Sequence, residues 1–556
     1  MKKLLIVALI VAIGVGIGWQ NRVNILIWAA PIAINFKEIP PNVPIEWSQG
    51  PSTAELTPSE RPPNIIFIMT DDMGFNDVSL YNGGAGDGTV MTPNIDALAQ
   101  QGVRFNNGYA ANAVCAPSRA TALTGRYSTR FGFEYTPVFK LGPVIFNWME
   151  ETNPGPLPVF IDSESADSLP PMAELGMETE QITIAEALKE QDYYTAFIGK
   201  WHLGSTGDMR PQAQGFDDSL ELAGSLYLPE DHPNVVNYKV LEESIEKMVW
   251  ATATYKARFN GNEFQPDGYL TDYYTREAVK VIEANKNRPF FLYLAHWGVH
   301  NPVQATKADY DSLNHIEDHG LRVYSAMIKA VDRSIGTIVE ALETSGLSDN
   351  TLIVFTSDNG GAGYIRLADI NKPYRGWKLN HFEGGTHVPY MAKWPAKIKA
   401  GTVVEEAIHH IDLFPTFANA GGAQIPVDRK MDGVDLLPFI TGEATGAPHE
   451  TLFWRQGTHQ TVWHKGWKLI TSDDSKNGPD APRLKWLFDL KVDPTEQNNL
   501  AEYDVDKVAA LETLLAEHNA EQAPSAWPST TNSPQRIDKH GGEPFEDTDE
   551  YIYFPN

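Results

Sequence analysis

Short apolar runs that end in polar residues or glycine recur along the first 360 residues of the chain. Four of them have the length and composition of strands buried on both faces, namely residues 64–69, 194–198, 289–295 and 351–356. Between them, apolar residues recur at helical spacing over residues 92–99, 183–191, 270–285 and 324–345. This alternation of strands and helices predicts an α/β domain with buried parallel strands at its centre.

The pattern changes beyond about residue 445, where short alternating strands replace the longer apolar runs. A small antiparallel sheet is predicted from residues 461–465, 467–471 and 486–489, with one helix, residues 507–518, packed on it. Residues 523–556 lack such a pattern, so we interpret them as a tail that is either wrapped or mobile.

Two earlier segments also lack clear periodicity. We interpret residues 133–180 as a surface insertion, because they are irregular, acidic and rich in proline. Residues 205–265 are interpreted as a region able to wall a substrate pocket.

The N-terminus predicts export. Two lysines precede an uncharged, mostly aliphatic run from Leu4 to Trp19, so residues 1–36 are predicted to be a signal peptide or an uncleaved signal anchor. The anchor is favoured because no clean cleavage site of small residues follows. The rest of the chain would then face the periplasm or the extracellular space. Residues 37–62, rich in proline, are interpreted as a linker that carries it away from the membrane.

Charge and cysteine content narrow the class of function. The formal net charge is 44 − 72 = −28, which argues against nonspecific binding to nucleic acid. The single cysteine excludes an internal disulfide. The length suits one large α/β domain and a smaller one.

That one cysteine lies in a conspicuous stretch, Val114–Arg126, with the sequence VCAPSRATALTGR. Ser118 is a good N-cap and Gly125 a good helix terminator, so Cys115 is predicted to lie just outside a helix N-terminus. Free backbone N–H groups and the Arg119 guanidinium would make this position an anion site. A lone cysteine is more often buried and inert. Other motifs in the chain are therefore needed to assign Cys115 a functional role.

Carboxylates follow two of the predicted strands. Asp71 and Asp72 come directly after the first strand, and Asp358 and Asn359 follow the strand at 351–356. Adjacent carboxylates at the carboxyl ends of strands are costly without a cation, and these four side chains offer hard oxygen ligands. Calcium fits this set best and magnesium less well. Zinc fits poorly, because no cluster of cysteine or histidine accompanies the oxygens.

Lys200 and His202 follow the strand at 194–198, and alternation along the chain allows both side chains to point into one cleft. Taken with the cysteine stretch, this G-K-W-H motif resembles the type I, formylglycine-dependent sulfatases of the alkaline phosphatase superfamily. The family also carries C-x-P-S-R, a TPN-[IL]-D helix, a histidine before x-P and R-G-x-K. These select Cys115, His300 and Lys378 in this chain. The motifs occur in the family's order over roughly residues 62 to 502.

The resemblance implies an alkaline phosphatase-like mixed sheet between helices for residues 63–444 and a smaller α/β subdomain on an antiparallel sheet for residues 445–522. It also implies that Cys115 is oxidised to formylglycine (3-oxoalanine), whose hydrate attacks the sulfur of a sulfate ester. One calcium ion would be held by Asp71, Asp72, the modified Cys115, Asp358 and Asn359.

The same resemblance implies the remaining catalytic roles. Arg119 would hold the diol, and Lys200 and Lys378 would bind the sulfuryl oxygens. His300, together with Lys378, would protonate the leaving alcohol, and His202 would then take a proton to release sulfate. Implied partners are a small or carbohydrate sulfate ester and, during maturation, a formylglycine-generating enzyme that must reach the unfolded C-x-P-S-R segment.

Two other functions stay open at this stage. A phosphonate or phosphate ester hydrolase of the same superfamily can carry a similar motif, and a membrane-tethered protein could bind sulfated ligands without turning them over. Three tryptophans next to site residues, Trp201, Trp297 and Trp377, are candidates for an apolar wall, although core packing accounts for two of them equally well.

The remaining histidines receive no catalytic role. His296 is interpreted as a core or supporting histidine, and His381 and His387 have no assigned function.

Overall fold

A computed structural model describes residues 21–34, 39–57, 60–152, 154–473 and 483–556. Its strands are β1 (Asn64–Thr70), β2 (Val103–Phe105), β3 (Gly108–Tyr109), β4 (Phe160–Ile161), β5 (Tyr194–Gly199), β6 (Asp218–Leu222), β7 (Val235–Tyr238), β8 (Ala257–Phe259), β9 (Asn262–Phe264), β10 (Phe290–Ala295), β11 (Val303–Thr306), β12 (Thr351–Ser357), β13 (Tyr390–Lys393), β14 (Thr402–Val404), β15 (Ile408–His409), β16 (Thr451–Gln456), β17 (His459–His464), β18 (Trp467–Asp473), β19 (Arg483–Asp489), β20 (Thr531–Arg536) and β21 (Tyr551–Pro555).

The helices are of two kinds. The longer ones are Arg22–Ile34, Pro93–Gln100, Cys115–Thr124, Gly142–Thr152, Ser244–Thr252, Leu270–Asn285, His319–Thr344, Leu413–Gly421 and Val505–Ala520. Shorter helical segments are Ser79–Asn82, Ala85–Gly88, Ser163–Ser168, Ile184–Lys189, Lys307–Asp311, Glu383–Thr386 and Leu437–Thr441.

A ten-stranded mixed sheet, in the order β14-β2-β13-β12-β1-β10-β5-β6-β8-β9, forms the centre of the molecule. Strands β12, β1, β10, β5 and β6 run parallel, so their carboxyl ends meet at one edge. Side chains of β1 alternate between the two faces: Ile66 packs with the helices Leu270–Asn285 and His319–Thr344, and Phe67 packs with Leu413–Gly421. The predicted α/β class, with helices on both faces of a mixed sheet, is confirmed.

The four buried strands lie where the apolar runs predict them, to within one residue at either end. The longest helix begins at His319, five residues before the predicted start, because the Asp318 carboxylate caps it by accepting a hydrogen bond from Leu321 N. The apolar periodicity alone gives no sign of this extra turn.

The C-terminal strands β16, β17, β18 and β19 form a four-stranded antiparallel sheet, against which the helix Val505–Ala520 packs. Strand β16 is an addition to the predicted set. The tail is wrapped rather than mobile, because β20 and β21 pair with each other and β20 also pairs with β4. The segment at 133–180 is not an irregular insertion, since it contains both β4 and the helix Gly142–Thr152.

Part of the N-terminal prediction, residues 1–20 and 35–38, lies outside the described residues. The helix Arg22–Ile34 packs against Gly142–Thr152 and Ser244–Thr252. Within the ranges given above, we find no helix with the length and apolar character needed to cross a bilayer.

The linker prediction requires correction. In the described range 39–57, Trp47 is buried and donates a hydrogen bond from its indole N–H to Glu277 Oε2 at 2.9 Å. Ser48 N donates to Asp218 Oδ2 at 3.0 Å. This segment therefore lies against the domain and does not act as a free tether, because burial of its tryptophan fixes it there.

Candidate active site

Three connections bring predicted site residues together at the carboxyl edge of the parallel strands. Asp71 and Asp72 follow β1, Lys200 follows β5, and Asp358 follows β12. The backbone N–H of Asp72 donates to Asp358 Oδ1 at 3.2 Å, which joins the first and last of these strand ends. The helix that carries the cysteine begins opposite them.

The start of that helix differs from the prediction. The helix begins at Cys115, with Val114 in the N-cap position, and Ser118 lies inside it. Pro117 is accommodated because the first helical turn needs no hydrogen bond from its nitrogen. Ser118 Oγ lies 3.3 Å from His410 Nδ1 and so links the helix to the next layer of residues. Gly125 ends the helix with φ of 66°, as predicted.

The Cys115 thiol points at the acidic pair. Its Sγ lies 3.4 Å from Asp71 Oδ1 and 3.7 Å from Asp72 Oδ1, and the residue is only 2% exposed. Burial raises the pKa of the thiol well above its usual range, and the carboxylates of Asp358 and Asp71 raise it further. Since the thiolate is the nucleophilic form, the unmodified cysteine is a poor nucleophile here.

Arg119 bridges two carboxylates from a fully buried position. Its Nε donates to Asp358 Oδ2 at 2.8 Å, and its Nη2 donates to Asp71 Oδ2 at 3.1 Å. A third hydrogen bond, from Nη1 to Lys200 O at 2.8 Å, fixes the loop after β5. Burial alone would lower the pKa of Arg119, but the charges of Asp358 and Asp71 raise it above its ordinary value.

Two lysines contact the acidic pair, one for each carboxylate. Lys200 Nζ lies 2.7 Å from Asp71 Oδ2, and Lys378 Nζ lies 2.8 Å from Asp72. Although burial would lower the pKa of Lys378, the Asp72 charge raises it well above the usual value. Burial would likewise raise the pKa of Asp71, but Lys200, His300 and Arg119 lower it. The Lys378 ammonium is therefore charged at neutral pH.

Both predicted histidines lie beside these lysines. His300 Nε2 is 3.3 Å from Lys378 Nζ and 3.5 Å from Asp72 Oδ2, and the His300 ring stacks on Trp297. His202 is held at φ of 63°, and its Nδ1 has no hydrogen-bond partner among the described residues. Burial lowers the pKa of both imidazoles well below the usual value, helped by Lys378 at His300 and by Lys200 at His202.

The donor atoms at this edge fit a cation. One ligand atom from each of Asp71, Asp72, Cys115 and His300 lies within 4.8 Å of the others. Asn359 donates from Nδ2 to Asp72 Oδ1 at 2.8 Å, while its buried Oδ1 has no partner in the described part of the chain. An orphaned amide oxygen beside two carboxylates is a ligand set suited to a hard cation.

Zinc was predicted to fit poorly for lack of a cluster of cysteine or histidine. That reason is wrong, because folding brings Cys115 and His300 together beside the carboxylates. A thiolate, an imidazole and carboxylates form a donor set that Zn²⁺ accepts. The sequence did not reveal this contact, because Cys115 and His300 lie 185 positions apart. The preference for calcium therefore depends on whether residue 115 offers a thiolate sulfur or, after oxidation, an oxygen.

Comparison with known proteins identifies the family of the chain. The sequence model of the sulfatase family (Sulfatase) matches residues 63–423, a range that includes the residues around Cys115 described above. The chain belongs to the sulfatase family. A second model, N-sulphoglucosamine sulphohydrolase, C-terminal, matches residues 377–523 of the sulfatase. The chain is therefore an enzyme of the class that hydrolyses sulfate esters, as predicted.

Individual relatives cover most of the chain. The sulfatase is 30% identical over 504 residues to human N-acetylgalactosamine-6-sulfatase, covering 84% of this chain and 87% of that protein. It is 32% identical over 526 residues to human steryl-sulfatase, covering 79% and 84%. The crystal structure of Ps i-CgsB in complex with k-i-k-neocarrahexaose superposes with a TM-score of 0.69 at 28% identity, over 84% of this chain and 95% of that one. These matches agree with an alkaline phosphatase-like fold.

Sequence reasoning missed two residues that contact the sulfatase site. The Tyr364 hydroxyl lies 3.4 Å from Lys378 Nζ. His410, whose two ring nitrogens lie 3.3 Å from Ser118 Oγ and 3.2 Å from Thr356 Oγ1, connects the cysteine helix to β12. The adjacent histidines in the sequence HHIDLF offered a cue for His410. Nothing in its local sequence marks Tyr364.

The other histidines lie apart from the cluster around Cys115. His296 Nε2 is 2.9 Å from Ser334 Oγ in the core, which confirms its interpretation as a supporting histidine. His381 stacks on His459, and His387 contacts Glu383 at 2.7 Å.

The proposed tryptophan wall is not present near Cys115. Trp201 packs on Phe197 and Phe216 in the core, and Trp297 lies beneath His300. Trp377 is also buried. None of the three lines the cavity that opens at Cys115.

Proposed function

We propose that this sulfatase hydrolyses a sulfate monoester of a small alcohol through a formylglycine hydrate formed from Cys115. The observation that carries the proposal is the buried thiol of Cys115, whose Sγ lies 3.4 and 3.7 Å from two carboxylates, with two lysines and two histidines around it. Burial raises the pKa of this thiol and so disfavours the thiolate, whereas an aldehyde hydrate would present a hydroxyl at the same place. The relatives include sulfatases named for a carbohydrate and for a steryl ester, so they leave the alcohol open.

In this proposal one hydroxyl of the hydrate gives its proton to the Asp71 carboxylate, which lies 3.4 Å from the Cys115 Sγ position, and attacks the ester sulfur as the alcohol oxygen leaves. Arg119 fixes the position of the acidic pair, and the ammonium groups of Lys200 and Lys378 face the sulfuryl oxygens, on which charge accumulates as the bond breaks. Placing these cations before the reaction avoids reorganisation during it. The covalent product would be a sulfate ester of the hydrate.

Proton transfer is assigned to the two histidines. Lys378 and His300 lie 3.3 Å apart and share one proton, because the ammonium is charged and burial keeps the imidazole neutral. That proton would pass to the leaving alcohol. The neutral His202, with its free buried Nδ1, would then accept the proton of the second hydroxyl, so that sulfate departs and the aldehyde is restored.

A calcium ion is proposed on Asp71, Asp72, the hydrate of residue 115, Asp358 and Asn359. When bound, it would acidify the attacking hydroxyl and offset the negative charge of the sulfate. Its presence is tested by metal analysis of the purified protein. Chelation should remove activity and lower the thermal midpoint, and calcium should restore both. Zinc as the bound metal in active enzyme would contradict the assignment.

The central experiment combines mass analysis of the Cys115 peptide with an assay of released sulfate. Active enzyme should carry the aldehyde, and Cys115→Ala should abolish turnover while leaving the thermal midpoint nearly unchanged. A wholly unmodified thiol in active enzyme would refute the proposal. Comparison of an aryl sulfate with the matching aryl phosphate diester and phosphonate ester separates sulfatase from phosphonate hydrolase activity, and sulfate release should be faster.

We also propose that the N-terminal segment directs export and that modification by a formylglycine-generating enzyme precedes folding. The charge and hydrophobicity of residues 1–36 support the first. The burial of Cys115 supports the second. N-terminal sequencing of the protein from a membrane fraction would distinguish a retained anchor from a cleaved signal peptide.

A further inference from the structure

A cavity of about 430 Å³ opens at Cys115, and its wall is mostly apolar. The outer side chains come from three segments of the chain. The first is residues 136–146, which include the start of the helix Gly142–Thr152; the second is the helix Ser244–Thr252; and the third is the C-terminal tail. They include Val138, Phe139, Phe146, Met248, Val249 and Phe554. This size suits a small molecule rather than the interior of a polymer.

The basic side chains that line this cavity lie at its inner end. Among the lining residues, all within the described ranges, these are Lys200, His202, His300 and Lys378 beside Cys115. These groups already have proposed roles toward the sulfate. The lining residues farther out include no lysine, arginine or histidine to bind a second sulfate or a carboxylate of the substrate.

Several of the uncharged polar side chains that line the wall are hydrogen-bonded within the protein. Thr530 Oγ1 and Thr531 Oγ1 donate to Asn556 O at 3.3 and 3.1 Å. Asn301 Nδ2 donates to Glu246. A sugar ring placed here would bury hydroxyl groups with few partners, and such burial is costly.

A second cavity of about 360 Å³ adjoins the first, but its charges are paired within the protein. Arg366 Nη2 lies 2.9 Å from Glu243, and Lys539 Nζ lies 2.6 Å from Asp549. It therefore offers no free pair of cations to an anionic oligosaccharide.

We propose that the alcohol of the substrate is an apolar ring, aromatic or alicyclic, rather than a sugar. This inference rests on the proposed sulfatase function and specifies its substrate class. The apolar wall would bury the ring through the hydrophobic effect, while the inner lysines hold the sulfate. Apolar side chains continue to the rim of the cavity, where Phe139, Leu141 and Met172 are each more than a third exposed.

The test uses two esters that differ only in ring polarity, cyclohexylmethyl sulfate and galactose 6-sulfate. Both are sulfates of a primary alcohol on a six-membered ring, so the leaving groups are similar. Each is measured as a substrate by sulfate release and as a competitor of 4-nitrophenyl sulfate hydrolysis, which gives a binding constant even when turnover is slow. The cyclohexylmethyl ester should show at least about tenfold higher kcat/KM, or tenfold tighter binding.

A pair of matched variants assigns the preference to the cavity. Val249→Asn places an amide in the wall, and Val427→Asn makes the same change at a position 99% exposed. Val249→Asn should reduce the ratio of kcat/KM for the cyclohexylmethyl ester to that for galactose 6-sulfate by about threefold or more. Val427→Asn should leave this ratio unchanged. Phe146→Asn repeats the test from the neighbouring helix, so that misfolding of one variant does not remove the evidence.

Equal use of the two esters, or preference for galactose 6-sulfate, would overturn the inference while leaving the sulfatase function in place. An unchanged ratio in folded Val249→Asn and Phe146→Asn would overturn it as well. Failure to release sulfate from 4-nitrophenyl sulfate by protein whose Cys115 is converted would instead refute the proposed function itself.

Discussion

At the scale of single residues, the Arg119 guanidinium decides whether the acidic pair and the loop after β5 keep their positions. Arg119→Lys keeps the charge but loses the planar fork that reaches Asp71, Asp358 and Lys200 O. We expect kcat/KM to fall at least about 100-fold. The free energy of unfolding should drop by on the order of 2–4 kcal/mol, because one buried carboxylate loses its partner.

Arg429→Lys is the matched control for this change. Arg429 pairs with Asp428 at the surface, where such pairs contribute little. Both activity and thermal midpoint should remain at the wild-type level. An equal loss in the two variants would show that Arg119 acts only through general stability.

A second residue, Asp77, makes stability depend on pH. Burial raises the pKa of Asp77 to about 7, although hydrogen bonds from Tyr324 and Gly74 N to its Oδ2 oppose the shift. Between about pH 4 and pH 7 the unfolded chain has lost this proton and the folded chain has kept it. Stability from this group therefore falls as pH rises through that window, by on the order of 4 kcal/mol.

Asp77→Asn mimics the protonated acid and should remove this dependence. The variant should match the wild type near pH 4.5 and exceed its free energy of unfolding near pH 8, measured by urea denaturation at each pH. Asp87→Asn is the control, since Asp87 is exposed and asparagine tolerates its φ of 55°. The same gain at both pH values would contradict the assignment.

At the scale of elements, strand β20 supports the loop that carries Lys378. Gln535 donates from Nε2 to Lys378 O and accepts from Asn380 Nδ2, each at 2.7 Å. Gln535→Leu should loosen that loop and lower kcat about tenfold, with KM changed less, because in the proposed mechanism Lys378 acts mainly in the transition state. Steady-state kinetics test this, and the exposed Gln497→Leu should have wild-type values.

Elements that bury a continuous apolar run could be predicted from the sequence, and those held by distant pairing could not. Strands β1, β5, β10 and β12 are buried along their whole length and mostly apolar, so their ends, which Asp71, Lys200 and Asp358 follow, could be located from the sequence.

Strand β20 shows the opposite case. Its sequence TNSPQR has no apolar alternation, and it exists because β4 and β21 provide its hydrogen bonds. The predicted start of the cysteine helix was wrong for a related reason. Ser118 is a residue type that often caps helices, but in the folded chain its hydroxyl faces His410. Residues whose role depends on a contact far along the chain therefore escaped prediction.

At the scale of the whole molecule, one buried ammonium group joins the C-terminal sheet to the catalytic domain. Lys468 Nζ on β18 lies 2.7 Å from Glu383 Oε1 and 2.9 Å from Glu496 Oε1, and all three side chains are almost fully buried. Lys468→Met leaves two carboxylates without their counterion, and we expect a loss of about 3–5 kcal/mol in the free energy of unfolding.

Thermal unfolding tests this prediction, and the activity of the molecules that remain folded should stay within about twofold of the wild type. Lys465→Met removes a surface pair with Glu450 and should leave the thermal midpoint unchanged. A shift of equal size in both variants would show that the buried network contributes nothing of its own.

The burial of Cys115 has a consequence for how much of any preparation can work. Once the helix Cys115–Thr124 has docked, a modifying enzyme has no access to a side chain that is 2% exposed. Under the proposed conversion, oxidation and folding therefore compete once for each molecule, and a molecule that folds first keeps its thiol. The active fraction is set by the relative rates of these two steps during synthesis. Later incubation of the folded protein with the modifying enzyme should leave it unchanged, whereas slower folding should raise it.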